Sequence, residues 1–454
     1  VCCSHELASV PYIPAPGIVF DKYKGAFEYG VEGVLQCWYF GNYPSLMSKA
    51  AGELSFMWDF SDKEGFLTHL AGIYYGQKNA KQAVEAWKCF ENGYTNYPVN
   101  VMFSYYGPMH DGVVWELALL PKNNPLPRSW RLVDIPDGDR IGECLWNGHT
   151  LDEAIELCRR IEENWIRGVA AMPENTPTEQ RSIANALKVL FSSAYNILSF
   201  YKMRENLAHG EGDASEILDK MKVIVEREIE NSSVMIDLCT EDSRLGYHSE
   251  AEGFKFFPEK LKYRIEKLKE LLATEFVYVK KRIDDGLVPL EYYSGEEEGA
   301  YIISNHLTDE IKLDADSKFS LSYDEENIYV NVCMRKTSQC VLCFETHLMF
   351  PKTAIILENG IIRLAETAIS HQQYFGDRID KELAKYKYTV ESSENSDIWR
   401  IAISKKDAEW DGKKPFKLRV AVDGNSWKND GEPVITLGKT EMPPSQFGWV
   451  MTDM

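Results

Sequence analysis

The hydrophobic pattern of this chain changes period near residue 284, and this change constrains the fold more than any single motif. Before it, apolar residues recur every three or four positions, which is typical of amphipathic helices. After it, apolar and polar residues alternate, as in 319–323 and 416–422, which predicts β-strands. We therefore predict a helical bundle over residues 61–284 and an antiparallel β-sandwich over residues 285–454.

The first 60 residues have a third pattern, in which a short strand at 1–4, a helix over 18–29 and a buried strand over 34–39 follow one another. This strand–helix–strand unit is the repeating piece of parallel α/β structures. Two strands alone cannot close a parallel barrel or bury both faces of a sheet. Residues 1–60 are therefore predicted to be the end of a larger parallel domain, whose earlier strands another segment or a second polypeptide supplies.

Local signals predict where helices and turns begin and end. A helix N-terminus is indicated by the capping boxes at Ser61–Glu64, Thr150–Glu153 and Thr176–Glu179, by a cap at Asn79 and by Pro258 at a first helical position. Gly76 is expected to end a helix. The dipeptides Asn359-Gly360 and Asp411-Gly412 predict turns between strands.

The charge of the chain excludes several classes of partner. Its 454 residues carry a net charge of −20, which argues against nucleic acid and against an anionic membrane surface. No apolar run approaches the roughly 18 residues needed to span a bilayer, and no signal peptide is recognisable. Ten scattered cysteines, mostly in apolar contexts, indicate reduced thiols in a cytoplasmic protein. We expect no cofactor.

A metal site is not predicted at the single C-x-x-C motif, formed by Cys340 and Cys343. His347 lies nearby, but no second pair of cysteine or histidine residues completes a set of four ligands. A thioredoxin-like role would need a βαβ context, whereas the surrounding sequence predicts strands. The two thiols are therefore expected to be structural.

An aromatic and amide cluster follows the predicted strand at 34–39 and is the strongest candidate for a ligand site. The cluster consists of Trp38, Tyr39, Phe40, Asn42 and Tyr43, and Pro44 ends it. In an α/β barrel the ligand binds where the parallel strands end. Flat aromatic faces can stack on sugar rings, and Asn and Tyr can bond hydroxyl groups. The alternative is that these aromatic side chains only pack in the core.

Glu6, with His5 beside it, occupies the corresponding position after the first predicted strand. The C-terminal ends of parallel strands meet at one rim, so Glu6 and the Trp38–Tyr43 cluster are expected to lie close together. A carboxylate beside aromatic rings is partly desolvated, which raises its pKa and suits it to proton donation. Glu6 is thus the candidate catalytic acid; the alternative is a carboxylate paired with a nearby Lys or Arg.

Two further polar segments are weaker candidates. The first contains Tyr105, Tyr106, His110 and Asp111 in a long irregular stretch, and the second is the segment 247–252 between long helices. Glu250 and Glu252 of the second segment could reach a pocket, pair with Arg244 or cap a helix. In the predicted β-sandwich, Trp410 and Trp427 are candidate sugar-stacking residues, with core packing as the alternative.

Three stretches together resemble the closing segments of a bacterial glycoside hydrolase. They are Cys3-Ser-His-Glu6, Gln36-Cys-Trp-Tyr-Phe-Gly-Asn-Tyr-Pro44 and Arg244-Leu-Gly-Tyr-His-Ser-Glu-Ala-Glu-Gly253. The resemblance is to the (β/α)₈ enzymes that include β-hexosaminidases and α-glucuronidases, in which a helical region follows the last barrel strand. From about Tyr301 the chain resembles family-nine carbohydrate-binding modules, through Asn327-Ile-Tyr-Val330, Trp399-Arg-Ile-Ala-Ile403, Trp427 and Phe447-Gly-Trp449.

The resemblance implies a multi-domain α/β, α and β protein: the end of a (β/α)₈ barrel at 1–60, a helical domain at 61–284 and a carbohydrate-binding-module-like β-sandwich at 285–454. It also implies hydrolysis of glycosidic bonds, with a carbohydrate as partner and with Glu6 catalytic. His5, Trp38, Tyr39, Asn42 and Tyr43 would bind the substrate. The missing barrel strands would come from an earlier portion, a second polypeptide or a homo-oligomer. The alternative function is a non-catalytic glycan-binding or assembly subunit.

Overall fold

The structure is a computed structural model, and its described residues form two compact units. The first lies within Val1–Leu120, Pro127–Asp137 and Asn147–Leu290, and the second within Pro121–Leu126, Gly138–Trp146 and Glu291–Met454. The described residues are 13–34, 45–56, 59, 61–98, 107–122, 136, 138–145, 149–248, 253–291, 300–305, 309–345, 354–366, 378–382, 387–408, 410–427, 434–436, 439–441 and 448–453.

The first unit is predominantly helical in its described part. Its helices are α1 (Pro16–Glu28), α2 (Leu46–Leu54), α3 (Lys63–Tyr75), α4 (Gln77–Tyr94), α5 (Pro108–Asp111), α6 (Leu151–Ala171), α7 (Thr178–His209), α8 (Ala214–Glu241), α9 (Pro258–Ala273) and α10 (Glu275–Asp284). Strands β1 (Tyr247–His248) and β2 (Gly253–Phe254) form an antiparallel hairpin between α8 and α9. The strand predicted at 1–4 lies outside the described residues. The strand predicted at 34–39 also lies outside them, apart from residue 34.

Some predicted helix starts are confirmed. Helix α6 begins with the expected capping box, because the Thr150 hydroxyl accepts from the Glu153 N–H at 3.2 Å and the Glu153 carboxylate accepts from the Thr150 N–H at 2.8 Å. Helix α9 begins at Pro258, as predicted. Gly76 separates α3 from α4 with φ of +75°, a conformation that favours glycine.

Three predicted caps are wrong, because other residues occupy the N-cap positions of these helices. Asp62, whose carboxylate accepts from the Gly65 N–H at 2.7 Å, caps α3 in place of Ser61. The Thr176 hydroxyl donates to the Pro173 carbonyl, and α7 starts only at Thr178. Asn79 lies inside α4 and donates to the Tyr75 carbonyl at 3.2 Å. A charged carboxylate is a stronger acceptor than a hydroxyl, which favours Asp62 as the cap.

Side chains of four helices hold the irregular segment that follows α5. The contacts are Arg204 Nη1 to the Ala118 carbonyl (3.1 Å), Ser232 Oγ to the Val113 carbonyl (3.2 Å), Arg264 Nε to the Trp115 carbonyl (2.7 Å), and the N–H groups of Leu119 and Leu120 to Glu275 Oε2 (2.8 Å each). Buried backbone groups outside regular structure need such partners. The segment is therefore fixed by residues far away in sequence.

The second unit contains two larger, mainly antiparallel sheets. The strands are β3 (Tyr301–Ile303), β4 (Ile311–Lys312), β5 (Lys318–Tyr323), β6 (Asn327–Arg335), β7 (Cys340–Glu345), β8 (Ala354–Glu358), β9 (Ile361–Glu366), β10 (Arg378–Glu382), β11 (Lys387–Ser392), β12 (Ser396–Ser404), β13 (Phe416–Val422), β14 (Asn425–Ser426), β15 (Val434–Thr436), β16 (Lys439–Glu441) and β17 (Gly448–Thr452). One sheet has the order β10-β9-β8-β7-β13-β17-β3, with β14 also on β13, and the other the order β11-β12-β6-β5-β4. Within the first, β17 and β3 pair in parallel.

Both sheets contribute side chains to one hydrophobic cluster, including Leu342 and Leu418 from one and Val330 and Ile401 from the other. Strands β6 and β12 alternate buried and less buried residues, as the period of two predicts, whereas β13 is buried at all but one of its seven positions. The predicted turn at Asn359-Gly360 joins β8 to β9, with positive φ at both positions.

Trp410 and Trp427 are core residues, so the prediction that they are exposed sugar-stacking residues is wrong. Trp410 is 6% exposed and Trp427 is 9% exposed. The Trp427 ring packs edge-to-face against Tyr301 and Phe319, with centroids 5.9 and 5.6 Å away. Burying a large aromatic ring removes a large apolar surface from water. The resulting gain in free energy favours a place in the core over an exposed position for stacking on a ligand.

Candidate functional site

Two polar segments that are 138 positions apart in sequence meet in the interior of the first unit. His110 and Asp111 close the short helix α5, and His248 ends strand β1. Lys255, directly after β2, joins them. All four residues are buried, with exposures of 2%, 6%, 0% and 3% respectively. The fold therefore brings together two segments that the sequence identifies separately, and adds a lysine between them.

Close backbone approach positions the two segments. A Cβ atom on Gly246 would lie 1.9 Å from the Phe256 carbonyl oxygen, so this position requires glycine. The Gly246 carbonyl accepts from the N–H groups of Lys255 and Phe256, at 2.7 and 3.1 Å. A Cβ on Gly112 would likewise lie 2.9 Å from Ser193 Cβ on α7. The backbone on the two sides of the hairpin is thus in direct contact, and Gly112 packs closely against α7.

The polar atoms of the cluster form a continuous set of contacts. Lys255 Nζ lies 2.6 Å from Asp111 Oδ1, and it also contacts His110 Nδ1. His110 Nε2 lies 3.2 Å from His248 Nε2 and 3.3 Å from Lys255 Nζ, and the two imidazole rings meet edge-to-face. Asp111 Oδ2 lies 3.5 Å from His110 Nδ1, at the limit of hydrogen bonding.

These contacts constrain where the protons lie. The proton between Lys255 and Asp111 belongs to the amine, whose intrinsic proton affinity is far higher than that of a carboxylate. Lys255 Nζ lies within reach of both nitrogens of His110 and can donate to either one, and a single proton joins the Nε2 atoms of His110 and His248. Both imidazoles are neutral in either arrangement.

Burial and the local charges shift each pKa in a consistent direction. Burial, assisted by the neighbouring His110 and by the Lys255 charge, lowers the pKa of His248 to about 3. Burial and the Lys255 charge also lower the pKa of His110. Although burial alone would raise it, the pKa of Asp111 is held well below its usual range by the Lys255 charge. Asp111 thus stays ionised and both histidines stay neutral at pH 7.

The other face of the hairpin carries two aromatic residues. Tyr247 pairs directly across from Phe254, and their rings meet edge-to-face with centroids 5.4 Å apart. Phe254 is 47% exposed. An exposed aromatic face on a short, polar hairpin is suited to stacking on an apolar ring face of a ligand.

Two groups of predicted site residues lie outside the described residues. The group near the N-terminus consists of Glu6, His5, Trp38, Tyr39, Asn42 and Tyr43. The other group consists of Tyr105, Tyr106, Glu250 and Glu252. Arg244, a predicted partner of the last two, pairs with Asp242 and Glu179 at 2.6 and 3.1 Å. Sequence reasoning missed Lys255, although a single lysine within the aromatic run Phe254–Phe257 is a recognisable signal of a buried, paired charge.

Two kinds of feature are absent from the described residues. No group of three or more His, Cys, Asp or Glu side chains in this part of the chain is arranged to hold a metal ion. None of the described helices is both long enough and apolar enough to cross a membrane.

Comparison with solved structures finds a distant similarity. The chain is similar to a GH138 enzyme targeting pectin rhamnogalacturonan II, with 8% identical residues and a TM-score of 0.36. The match covers 86% of this chain and 52% of that one, so the chain spans about half the length of that enzyme. No family model matches the sequence, and no curated protein matches it.

Proposed function

We propose that this chain acts on carbohydrates, as the C-terminal portion of a glycoside hydrolase. The observation that carries the proposal is the meeting of His248 with His110, Asp111 and Lys255. His248 belongs to the stretch 244–253, which is one of the three that resemble such enzymes. That His248 of this stretch is buried in a polar cluster supports a functional role for strands β1 and β2.

The hairpin offers the kind of contact that a sugar needs. Pyranose rings present C–H groups that pack on aromatic faces, and Phe254 exposes nearly half of its surface beside Tyr247. We assign Phe254 as a stacking residue. The sheets of the second unit are proposed to form a β-sandwich related to carbohydrate-binding modules, but with a binding surface that does not use Trp410 and Trp427.

The proton donor of the reaction is proposed to be Glu6, at the rim of a (β/α)₈ barrel that residues 1–60 help to complete. Glycoside hydrolysis needs a protonated acid and a second carboxylate or substrate group around the scissile bond. Asp111 is not suited to donate a proton, because its pKa is too low, and neither buried histidine is protonated at pH 7. His5, Trp38, Tyr39, Asn42 and Tyr43 are proposed to contact the sugar.

The second candidate function is a non-catalytic glycan-binding subunit. It is favoured by the same protonation pattern, since an ionised Asp111 and two neutral histidines support a binding surface without any proton transfer. In this case the exposed aromatic face of the hairpin would be sufficient for function.

The test is an assay of the full chain, together with any polypeptide that co-purifies with it, on neutral and acidic oligosaccharides. Released reducing ends report hydrolysis, and calorimetry reports binding. The Glu6→Gln variant is expected to lower turnover by about 10² or more, the usual scale for a general acid. Glu28→Gln is the matched control, because Glu28 is an exposed carboxylate at the end of α1.

The outcomes separate the two functions. Hydrolysis that is lost in Glu6→Gln and kept in Glu28→Gln supports the enzyme. Binding without hydrolysis, in the presence of a co-purifying barrel polypeptide, supports the binding subunit. Neither binding nor hydrolysis on any oligosaccharide contradicts both proposals.

A further inference from the structure

Strand β11 is an edge strand of the second unit. It ends the sheet β11-β12-β6-β5-β4, and its six residues pair on one side with β12, from Lys387 opposite Ala402 to Ser392 opposite Asp397. On its other side, β11 has no neighbour among the described strands. A row of N–H and C=O groups without ladder partners makes such an edge a template for one more strand.

The strand lacks two of the devices that protect sheet edges from pairing. Its register with β12 runs without a bulge, and it contains no proline. Tyr388 and Val390 pack against the core cluster that both sheets share, and Lys387, Thr389 and Glu391 are exposed on the outer face. Tyrosine, threonine and valine all favour strands. The edge is therefore regular, and its outer face carries two charges.

Those two charges are placed symmetrically about Thr389. Lys387 lies two residues before it, and Glu391 lies two residues after it. When two copies of β11 run antiparallel with Thr389 opposite Thr389, each Lys387 lies directly opposite the other copy's Glu391. On the core-facing side, each Tyr388 lies opposite the other copy's Val390. Opposite charges and aromatic–β-branched pairs at directly opposed positions both stabilise an antiparallel ladder.

We propose that β11 is a homodimer interface, where two copies of this chain join edge to edge about a two-fold axis at Thr389. The two five-stranded sheets then form one continuous sheet of ten strands. A two-fold axis uses the same strand in both copies, so the assembly closes at two chains. This interface belongs to the second unit, whereas residues 1–60 belong to the first, and it does not depend on the proposed function.

The side-chain pattern selects this register over its neighbours. A slip of one residue would place the outer face of one copy beside the core-facing side of the other. A slip of two residues sets Thr389 opposite either Lys387 or Glu391, and the remaining charge then lies beyond the end of the paired strand. The register centred on Thr389 pairs both charges and keeps the apolar side continuous.

The intrachain partner of Glu391 leaves room for a second cation. Glu391 pairs with Arg400 of β12, and their side chains remain 62% and 49% exposed. A carboxylate has about four acceptor positions, so it can bind Arg400 of its own chain and Lys387 of the other copy together. The opposite edge of the same sheet is β4, which has only two residues and is too short for an equivalent ladder.

The experiment is sedimentation velocity of the full chain from micromolar to submillimolar concentrations. At about 0.15 M salt, a Debye length of about 8 Å screens the repulsion between chains of net charge −20 but not the contacts within a strand pair. Two paired edges bury less than the roughly 1,600 Å² of a standard interface, so we expect a weak, concentration-dependent dimer.

Charge reversal tests the interface and its register together. Lys387→Glu and Glu391→Lys each set like charges opposite one another twice, which should raise the dimer dissociation constant by about tenfold or more. In a mixture of the two variants, the new carboxylate faces the new ammonium, and the unchanged Lys387 faces the unchanged Glu391. The mixture should therefore dimerise more tightly than either variant alone. Lys312→Glu is the matched control, because Lys312 is an exposed lysine on β4; it should dimerise like the wild type.

A wild-type chain that stays monomeric over the whole concentration range would overturn the interface. A dimer that resists both charge reversals would also overturn it, since the association would then involve another surface. Failure of the mixed variants to recover association would overturn the register. If Glu391→Lys does not fold after losing its Arg400 pair, the comparison of Lys387→Glu with Lys312→Glu decides alone.

Discussion

Arg264 and Glu228 form an ion pair with no solvent exposure: Arg264 Nη2 lies 2.7 Å from Glu228 Oε2, and both side chains are 0% exposed. The same guanidinium donates to the Trp115 carbonyl at 2.7 Å and to Ser232 Oγ at 2.8 Å. The pair therefore joins α8 and α9 and also fixes the segment that follows His110 and Asp111. The ion pair matters for stability because both of its charged groups have partners, since a buried charge without a partner would destabilise the fold.

We expect Arg264→Met to lower the free energy of unfolding by about 3–5 kcal/mol, because it leaves the Glu228 carboxylate buried without its counter-ion. Urea unfolding at pH 7.5, followed by circular dichroism, measures the change. Lys267→Met is the matched control on the same helix, since Lys267 pairs with Glu270 on the surface; its effect should stay within about 0.5 kcal/mol. Similar losses in both variants would contradict a special role for the buried pair.

Gly246→Ala should destabilise the first unit by about 1–3 kcal/mol, because the new Cβ would overlap the Phe256 carbonyl oxygen and displace the hairpin. Gly25→Ala is the opposite control. Gly25 lies inside α1 with no atom near its Cβ position, so alanine should stabilise the protein by about 0.5–1 kcal/mol. Thermal unfolding of the two variants should shift the midpoint in opposite directions, and a shift of the same sign would disprove this account.

Stability should fall as the pH is lowered from about 6.5 towards 3. The folded-state pKa of His248 is lowered to about 3, so the unfolded chain binds the extra proton in this window. Between pH 7.5 and pH 5 the expected loss is about 2 kcal/mol per histidine kept neutral. His248→Gln should reduce the pH-dependent loss by that amount in urea unfolding at the two pH values. An identical loss in wild type and variant would show that His248 titrates normally.

Trp427→Ala should cost about 3–5 kcal/mol of stability in the second unit, the usual range for deleting a buried aromatic side chain. Ile302→Ala, at a side chain that is 61% exposed on β3, should have little effect. Differential scanning calorimetry can separate the two transitions. If Trp427→Ala kept its stability while glycan binding was lost, Trp427 would be a ligand contact after all.

Phe254→Ala should weaken oligosaccharide binding about tenfold, by analogy with the roughly 1–3 kcal/mol of aromatic stacking on nucleic-acid bases. Tyr278→Ala is the control, because Tyr278 is similarly exposed, at 50%, on α10. Calorimetric titration at pH 7.5 gives both affinities. Unchanged binding in Phe254→Ala would remove the hairpin face from the site, whereas no binding in the wild type would contradict the proposed function.

The sequence alone determined the features that depend on nearby residues. The change from a period of three or four to a period of two separates the helices before 284 from the strands after 300, because each periodicity places apolar side chains on one face of its element. The capping box at Thr150 and the turn at Asn359-Gly360 also follow from local geometry. Where a competing acceptor lay one residue away, as with Ser61 and Asp62, local signals placed the helix end wrongly.

The tertiary structure alone decided which distant residues share an environment. His110 and His248 are 138 positions apart, and no periodicity links them; packing of α5 and the hairpin in one helical unit brings their rings into contact. The same holds for Trp427, whose burial depends on Tyr301 and Phe319 from other strands. Contacts between distant residues depend on how whole elements pack, and the protonation of Lys255, Asp111 and the two histidines depends in turn on those contacts.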